Sequence, residues 1–336
     1  MSLSLITRRL KLRSLKRMSE FAAKDAALYN KKKFFILCDM AWCALRYSAA
    51  VYDYHNLKFA QRPHKERKDF VTMGVNVKLV KRVNNLAYRP IFEDKTKFNA
   101  TFREFLKREW CNLQETDRDE FTKWLNNLNH NAAEGSQVLF AKRDDSSCGA
   151  DVLRIVVSDY ADAGTLYDFL ITEKFDLIEE AVYQHEFMAG IYPGAVNTLR
   201  IASFIKDGIA HVPYAFLRCG LEGYVDNLNA GGFCAVIDAE TGIITSDGMT
   251  KDMQYAETHP VTGFTFNGAQ FPYWDECIAL VKEAAMRVPQ VRYAAWDVAI
   301  RHDGEPLFIE GNYHPGYDIL QLADQVGKKK MLLSYR

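Results

Sequence analysis

Apolar and polar residues alternate most regularly near the end of the chain, within residues 296–312. Two short alternating runs flank the pair Asp303-Gly304, which is a strong turn signal. The apolar members of these runs are Val298, Ile300, Leu307 and Ile309. The pattern predicts a β-hairpin with Asp297 on one face of its first strand. Glu310 and Asn312 then share one face of the second strand.

Elsewhere the spacing of apolar residues separates a helical first part from a second part rich in strands. Spacing of three and four residues predicts helices over 14–29, 35–54, 98–106, 117–128, 162–173 and 274–288. Alternation and short apolar runs predict strands over 137–142, 152–157, 177–182, 197–204, 211–219, 233–238 and 242–246. Helices combined with mostly antiparallel strands indicate an α+β fold.

Composition places the chain among globular proteins. Of its 336 residues 48% are apolar and 26% are charged, so it can bury a sizeable core. Its seven cysteines form no C-x-x-C pair, which is typical of reduced thiols in a cytosolic protein. The most apolar N-terminal run, residues 34–52, is interrupted by Asp39 and Arg46, so it predicts neither a membrane span nor a signal peptide.

Charge is distributed unevenly along a chain whose net charge is zero. Residues 1–33 contain ten lysines and arginines against Glu20 and Asp25, a net charge of +8. Such a segment suits an anionic membrane surface or nucleic acid, and it is equally typical of a solvated helix. We expect a cytoplasmic protein with no nucleic-acid partner and with a peripheral contact at the inner face of the membrane.

The hairpin carries a set of hard oxygen ligands. A carboxylate from Asp297 on one strand, with the Glu310 carboxylate and the Asn312 amide on its neighbour, suits Mg2+, which commonly shares such ligands with substrate phosphates. The alternative is an ordinary hairpin with its charged side chains in solvent. Three such residues at this spacing favour the metal site.

A second group of residues suits a phosphate. The predicted strand 137–142 ends in Lys142 and is followed by a loop that contains Ser146, Ser147 and Gly149. Small residues allow backbone N–H groups to approach anionic oxygens, while the lysine supplies positive charge. Loops of this composition are common, and a lysine at a strand end is usually a surface residue.

The order of these features resembles the ATP-grasp superfamily, and most closely its sugar-transfer-associated family, with the teichuronopeptide-biosynthesis type as a near neighbour. The resemblance covers residues 39–312. It depends on D-K at 94–95, Lys142, L-I-E-E-A-V at 177–182, N-T-L-R at 197–200, D-N-L-N-A-G-G at 226–232 and W-D-V-A-I…I-E-G-N at 296–312. It implies two α+β subdomains that clasp ATP, here residues 91–178 and 179–336, after a mainly helical region over 1–90.

The resemblance also implies a role for each site residue. Lys142, with Lys95 or Lys97, would contact the phosphates, and the loop with Ser146, Ser147 and Gly149 would cover them. Residues 179–182 would form the hinge beside adenine through the backbone up to Val182, with Glu179 or Glu180 at the amino group and Glu186 near the ribose. Asn197 would also contact the nucleotide. Asp297, Glu310 and Asn312 would hold two Mg2+ ions, and Arg200 would face the γ-phosphate or an acyl-phosphate.

The activity implied is that of an ATP-dependent carboxylate–amine ligase. A carboxylate would attack ATP to form an acyl-phosphate, and an amine or amino acid would displace the phosphate to give an amide. The family resemblance indicates cell-surface polysaccharide biosynthesis, with a sugar acid as one substrate. Two alternatives remain: an ATP-binding scaffold without catalysis in a polysaccharide assembly complex, and a sugar or carboxylate kinase.

Overall fold

The computed structural model describes every residue except 1–2, 129–136, 145–151 and 225–230, and for residues 3–14 it describes the helical backbone alone. The chain separates into two compact units, residues 1–83 with 316–336 and residues 84–315. The three-part division predicted from the sequence stays a prediction, although residues 316–336 pack within the first unit. No described helix is long and apolar enough to cross a membrane.

The helices are α1 (Leu3–Leu28), α2 (Lys33–Tyr47), α3 (Val51–Asn56), α4 (His64–Arg67), α5 (Met73–Val83), α6 (Pro90–Glu93), α7 (Lys95–Thr101), α8 (Arg103–Leu106), α9 (Arg118–Asn127), α10 (Ala163–Thr172), α11 (Glu186–Ile191), α12 (Trp274–Arg287), α13 (Ile319–Leu322) and α14 (Lys329–Leu333). The strands are β1 (Trp110–Asn112), β2 (Val138–Lys142), β3 (Val152–Val156), β4 (Leu177–Glu180), β5 (Thr198–Lys206), β6 (Ile209–Cys219), β7 (Phe233–Ile237), β8 (Gly248–Met249), β9 (Tyr255–Ala256), β10 (Tyr293–Ile300) and β11 (Pro306–Asn312).

The first unit is helical and is held together by buried polar contacts as well as by its core. The Asp53 carboxylate accepts hydrogen bonds from the backbone N–H groups of Ala50 and Met73, at 2.6 and 2.9 Å, and from the Tyr317 hydroxyl at 2.7 Å. These contacts join α3 to the starts of α5 and of the C-terminal segment. A buried carboxylate with three donors satisfies its hydrogen-bonding needs without water.

The second unit contains two antiparallel sheets. The smaller has the strand order β1-β4-β2-β3, and the larger has the order β11-β10-β5-β6-β7-β8-β9. Apolar residues from one face of the smaller sheet form a core with residues of α9 and α10, including Phe121, Leu125, Leu166 and Leu170. The opposite face of that sheet carries Lys142 and Glu179, because side chains alternate along a strand.

An aromatic cluster supports the final hairpin, β10–β11, on the face opposite Asp297. Trp296 of β10 stacks on Phe308 of β11 with 4.9 Å between ring centroids, and Phe102 meets the same indole edge-on at 5.1 Å. Phe98 of α7 lies 4.8 Å from Phe102. The Trp296 indole N–H is satisfied by the Ser203 hydroxyl at 2.8 Å. The cluster therefore fixes α7 and α8 to the edge of the larger sheet, where β11 is the last strand.

Most of the predicted elements are confirmed, including the α+β class and the final hairpin. The predicted strand 242–246 is only partly formed. Ile244 bridges Ile237 of β7, and the N–H groups of Asp238 and Thr245 donate to the carbonyls of Ile243 and Val236, but no continuous strand follows. The turn that joins the two segments is closed by the Asp238 carboxylate, which accepts the N–H groups of Glu240 and Thr241, and by Gly242 with a φ of +73°.

We predict that Gly311→Ala destabilises the protein. A Cβ at this position would lie 2.4 Å from the Phe98 ring, which cannot retreat because it is buried in the aromatic cluster. Overpacking of this kind costs about 1 to 3 kcal/mol in the free energy of unfolding, measurable by urea denaturation. Gly190→Ala is the matched control, since nothing lies within 4 Å of the position that its methyl group would take. Equal stabilities for the two variants would contradict the packing described here.

Candidate functional site

Three charged side chains lie side by side on adjacent strands of the larger sheet. Arg200 of β5 and Glu310 of β11 are the two cross-strand partners of Asp297 on β10. The Arg200 guanidinium donates to both Asp297 oxygens, each at 2.5 Å, and reaches the Glu310 carboxylate at 3.5 Å. Asp297 is 2% exposed, whereas Glu310 is 48% exposed. The row therefore passes from a buried ion pair to a carboxylate that opens to solvent.

A second arginine completes this row. Arg218 of β6 donates to the second Asp297 oxygen at 2.6 Å. Burial alone would raise the pKa of Asp297, but the charges of Arg200 and Arg218 outweigh burial and lower it. Partial removal from water and the neighbouring Asp297 charge raise the pKa of Glu310. Two arginines and two carboxylates give the row no net charge when all four groups are ionised.

The predicted metal ligands fit Mg2+ when they are considered with a substrate phosphate. Asp297 already shares both oxygens with arginines, so Glu310 and Asn312 offer the more available oxygens. The Asn312 amide nitrogen is buried without a hydrogen-bond partner in the described part of the chain. A half-turn of that amide exchanges its oxygen and nitrogen and would present the oxygen to a cation. Within the same ranges, no group of three or more acidic, histidine or cysteine side chains could hold a metal, so other oxygens would have to complete its coordination.

The two candidate lysines at the start of α7 point to different surroundings. The Lys95 ammonium donates to the Arg143 carbonyl at 2.6 Å. It also interacts electrostatically with Lys142, Glu310 and Glu179. Burial and the Lys142 charge lower the pKa of Lys95. Lys97 instead pairs with Asp94 at 2.6 Å and its side chain is 60% exposed. Of the two, only Lys95 lies among the other site residues.

Glu179 is the centre of a buried charge cluster. Its carboxylate accepts hydrogen bonds from Lys142 at 2.5 Å, from Arg108 at 3.0 Å and from the Asn99 amide at 2.6 Å. Burial alone would raise its pKa, but the charges of Arg108 and Lys142 outweigh burial and lower the pKa to about 2. Glu179 thus holds Lys142 in place on the sheet face that also carries Phe140.

The remaining hinge residues lie where β4 leaves the smaller sheet. Glu180 accepts the backbone N–H of Glu109 at 2.8 Å; burial, outweighing that hydrogen bond, raises its pKa. Val182 lies in the irregular segment that follows, and Glu186 is exposed at the first residue of α11. These positions agree with a connection between the two sheets, and their contacts with a nucleotide stay predictions.

The Asn197 amide is held by backbone groups, and its contact with the nucleotide stays a prediction. It is fully buried, and its amide nitrogen donates to the carbonyls of Met188 and Tyr192 at 2.7 and 2.8 Å. Its oxygen accepts the N–H of Gly220 at 3.3 Å. An amide engaged in this way joins α11 to the end of β6, which is a structural role. Ser146, Ser147 and Gly149, predicted to cover the phosphates, lie outside the described residues.

The sequence reasoning missed Arg108, Arg218 and Asn99. Arg218 carried a detectable signal, because it is the penultimate residue of a predicted strand that follows the Arg200 strand in a hairpin. For Arg108 and Asn99 the sequence contains no comparable signal, since their contacts with Glu179 join residues 71 and 80 positions apart.

Comparison with known families decides the family. The sugar-transfer associated ATP-grasp family matches residues 74–334. The chain belongs to this family. That result confirms the resemblance drawn from the sequence and, with the two antiparallel sheets described above, the ATP-grasp fold. No curated protein matches the chain significantly.

Several solved ATP-grasp structures are similar to the chain at low identity. An ADP complex of purK, N5-carboxyaminoimidazole ribonucleotide synthetase, is 11% identical with a TM-score of 0.41, over 68% of this chain and 46% of that one. D-cycloserine synthetase DcsG is 11% identical with a TM-score of 0.45, over 77% and 78%. D-alanyl-alanine synthetase A from Vibrio cholerae is 12% identical with a TM-score of 0.41, over 73% and 64%. The chain spans less than half of the first of these, and scores this low identify neither substrate nor reaction.

We predict that Glu179 makes stability depend on acid pH. Its folded pKa of about 2 lies below its usual 4.5, so its contribution is full above pH 4.5 and is lost as the pH falls towards 2. The shift corresponds to roughly 3 kcal/mol. The free energy of unfolding, measured by chemical denaturation from pH 5 to pH 2, should therefore fall more steeply for the wild type than for Glu179→Gln.

At neutral pH the same variant should be less stable by about 3 to 5 kcal/mol, because it leaves Arg108 and Lys142 without their carboxylate. Glu93→Gln is the control, since Glu93 forms an exposed pair with Arg89 in which both side chains are more than 40% exposed. Parallel pH profiles for the wild type and Glu179→Gln would contradict the assignment.

Proposed function

We propose that this ATP-grasp protein is an ATP-dependent carboxylate–amine ligase that proceeds through an acyl-phosphate. The observation that carries the proposal is the row Arg200–Asp297–Glu310 across three adjacent strands, with Lys95 close enough for its charge to interact with Glu310. Cations and carboxylates that converge in this way match the needs of phosphoryl transfer, which are positioning and charge neutralisation rather than a protein nucleophile.

The chain's own cations would orient the triphosphate. Lys142 comes from β2 of the smaller sheet, Lys95 from the start of α7, and Arg200 from β5 of the larger sheet. Arg200 uses Nε and one terminal nitrogen on Asp297, and its other terminal nitrogen, Nη1, donates to no residue in the described ranges. That nitrogen is the group we assign to the γ-phosphate. Asp297 holds the guanidinium plane in one orientation, which lowers the entropy lost on binding.

Mg2+ would be held by Glu310 and Asn312, with a share from the Asp297 oxygens. When bound, it supplies neutralisation of the phosphate charge that develops during transfer. Arg218 then has a separate role, because it stays paired with Asp297 and keeps that carboxylate ionised beside Glu310. We retain two Mg2+ ions as part of the proposal, as the family resemblance implies.

The reaction would proceed in two balanced steps. An oxygen of the substrate carboxylate attacks the γ-phosphorus, the bond to the β-phosphate oxygen breaks, and ADP leaves. The amine nitrogen then attacks the acyl carbon, inorganic phosphate leaves with the C–O bond pair, and the nitrogen loses its proton to give the amide. In this proposal Arg200 contacts the transferring phosphoryl group in both steps.

The nucleotide and substrate ends of the site complete the proposal. We place adenine beside the backbone near Val182, with Glu180 on the adenine side and Glu186 near the ribose. The family description associates the chain with sugar transfer, which supports a sugar acid as the carboxylate and an amine or amino acid as its partner, in polysaccharide biosynthesis. The loop with Ser146, Ser147 and Gly149 stays a proposed phosphate cover.

The function is tested by incubating the protein with ATP, Mg2+ and paired panels of uronic acids and amino acids. ADP together with a new amide, identified by mass spectrometry, is the expected result. ADP with a stable phosphorylated product would instead indicate a kinase, and tight ATP binding without turnover would indicate a scaffold. Glu310→Gln should lose Mg-dependent turnover while circular dichroism shows an intact fold; unchanged turnover would contradict its role.

A pair of lysine variants tests the assignment within the site. Lys95→Met should lower kcat/KM for ATP about a hundredfold, because it removes a charge that faces the phosphates. Lys97→Met should stay within about twofold, since Lys97 is exposed and pairs with Asp94. The two substituted positions lie two residues apart on one helix. Equal losses of kcat/KM in the two variants would therefore indicate damage to α7 instead of a phosphate contact.

A further inference from the structure

Helix α2 carries an apolar face that points into solvent. Its members are Phe34, Phe35, Cys38, Ala41, Trp42 and Leu45, and all six are exposed. The exposed fractions reach 68% for Phe34, 61% for Phe35, 44% for Trp42 and 87% for Leu45. At 100° per residue these positions fall within an arc of about 120°. We call this set the α2 stripe.

The stripe is separate from the face through which α2 joins its own unit. Ile36, Met40, Cys43 and Tyr47 occupy the opposite side of the helix and are buried. The helix is therefore apolar on two faces, and the core explains only one of them. Four large apolar side chains exposed side by side are unusual on a protein surface in contact with water. Such patches mark binding sites for another apolar surface.

The charges around the stripe indicate which kind of surface it binds. Lys31, Lys32 and Lys33 precede it directly, and Arg46 follows it. The single acidic residue of α2, Asp39, is held in a bidentate pair by Arg67 at 2.7 and 2.9 Å and also accepts the Tyr54 hydroxyl at 2.7 Å. The stripe thus carries no uncompensated negative charge, and residues 1–30, with seven lysines and arginines against two acidic residues, add a net charge of +5.

We propose that α2 binds an anionic lipid bilayer, lying in the plane of the interface with the stripe among the acyl chains and the flanking lysines among the phosphates. Aromatic and leucine side chains on one face with basic residues at the ends are the features of interfacial helices. With 15 residues the helix is about 22 Å long, too short to cross a hydrocarbon core of about 30 Å, so it lies flat.

This inference does not depend on the proposed ligase activity. The stripe belongs to the unit of residues 1–83 with 316–336, whereas the residues of the proposed ATP site belong to residues 84–315. Lipid binding and turnover are therefore separate readouts, and each can fail while the other succeeds.

The test is sedimentation of the full chain with vesicles of phosphatidylcholine alone or with phosphatidylglycerol. The wild type should bind the anionic vesicles, and raising the salt concentration should weaken this binding. The triple variant Phe34→Gln, Trp42→Gln, Leu45→Gln should bind about a hundredfold more weakly or worse, since it removes the inserted apolar area but keeps every charge and a good helix former. Leu86→Gln, at a residue 67% exposed in the other unit, is the control and should bind like the wild type.

A depth measurement separates insertion from charge attraction. Cys38 lies within the stripe and is the one exposed thiol among the described cysteines. The emission of a polarity-sensitive fluorophore on Cys38, in a protein with Cys148→Ser, should shift to the blue on anionic vesicles.

The contribution of charge is tested separately. The triple change Lys31→Ser, Lys32→Ser, Lys33→Ser should lower vesicle affinity about tenfold or more.

Three outcomes would overturn the proposal: wild-type protein that leaves anionic vesicles unbound, a triple stripe variant that binds as well as the wild type, and a fluorophore that stays in water. If the stripe instead mediates self-association, the wild type would form a lipid-free dimer that the triple variant loses, as sedimentation velocity would show. That result combined with absent vesicle binding would assign the stripe to a second copy of the chain.

Discussion

The packing of α7 against the final hairpin is the constraint on which the site depends. Gly311 has no side chain, so the Phe98 ring can lie directly against β11. Because β11 is the edge strand, the same helix supports the back of the hairpin with Phe98 and begins with Lys95 near Glu310. The aromatic cluster is non-polar and closely packed, so it fixes the backbone of α7 relative to that of β11. The positions of Lys95 and Glu310 are therefore set by rigid elements, although both side chains are flexible.

The two charge clusters of the second unit follow a common physical rule: the buried carboxylate in each is matched by more than one cation. Asp297 meets Arg200 and Arg218, and Glu179 meets Lys142 and Arg108. Burial of a single charge would be unfavourable, and these pairs offset that cost through short, directional hydrogen bonds. Each cluster also holds one cation, Arg200 or Lys142, in a single orientation. We propose that these two cations contact ATP.

What the sequence predicted well was local. The Asp303-Gly304 turn and the alternation around it depend on residues close in the chain, and the hairpin with Asp297 and Glu310 on neighbouring strands was predicted from them; the structure adds that these two residues pair directly. The pairing of Arg218 with Asp297 was not found, because it depends on the order of strands across the sheet. Glu179 was interpreted as a hinge residue, whereas the structure engages its carboxylate with side chains from three other segments. The α2 stripe shows the same limit, since helical spacing alone cannot tell a core face from an exposed one.

The central claim is that the row formed by Arg200, Asp297 and Glu310 serves the transfer of a phosphoryl group to a carboxylate. Once a carboxylate substrate has been identified, both of its carboxyl oxygens can be labelled with oxygen-18. The released phosphate is then examined by mass spectrometry. An acyl-phosphate requires one labelled oxygen to pass into each phosphate. Phosphate that carries no label while amide is formed would contradict the account, because the carboxylate would then never have been bonded to phosphorus.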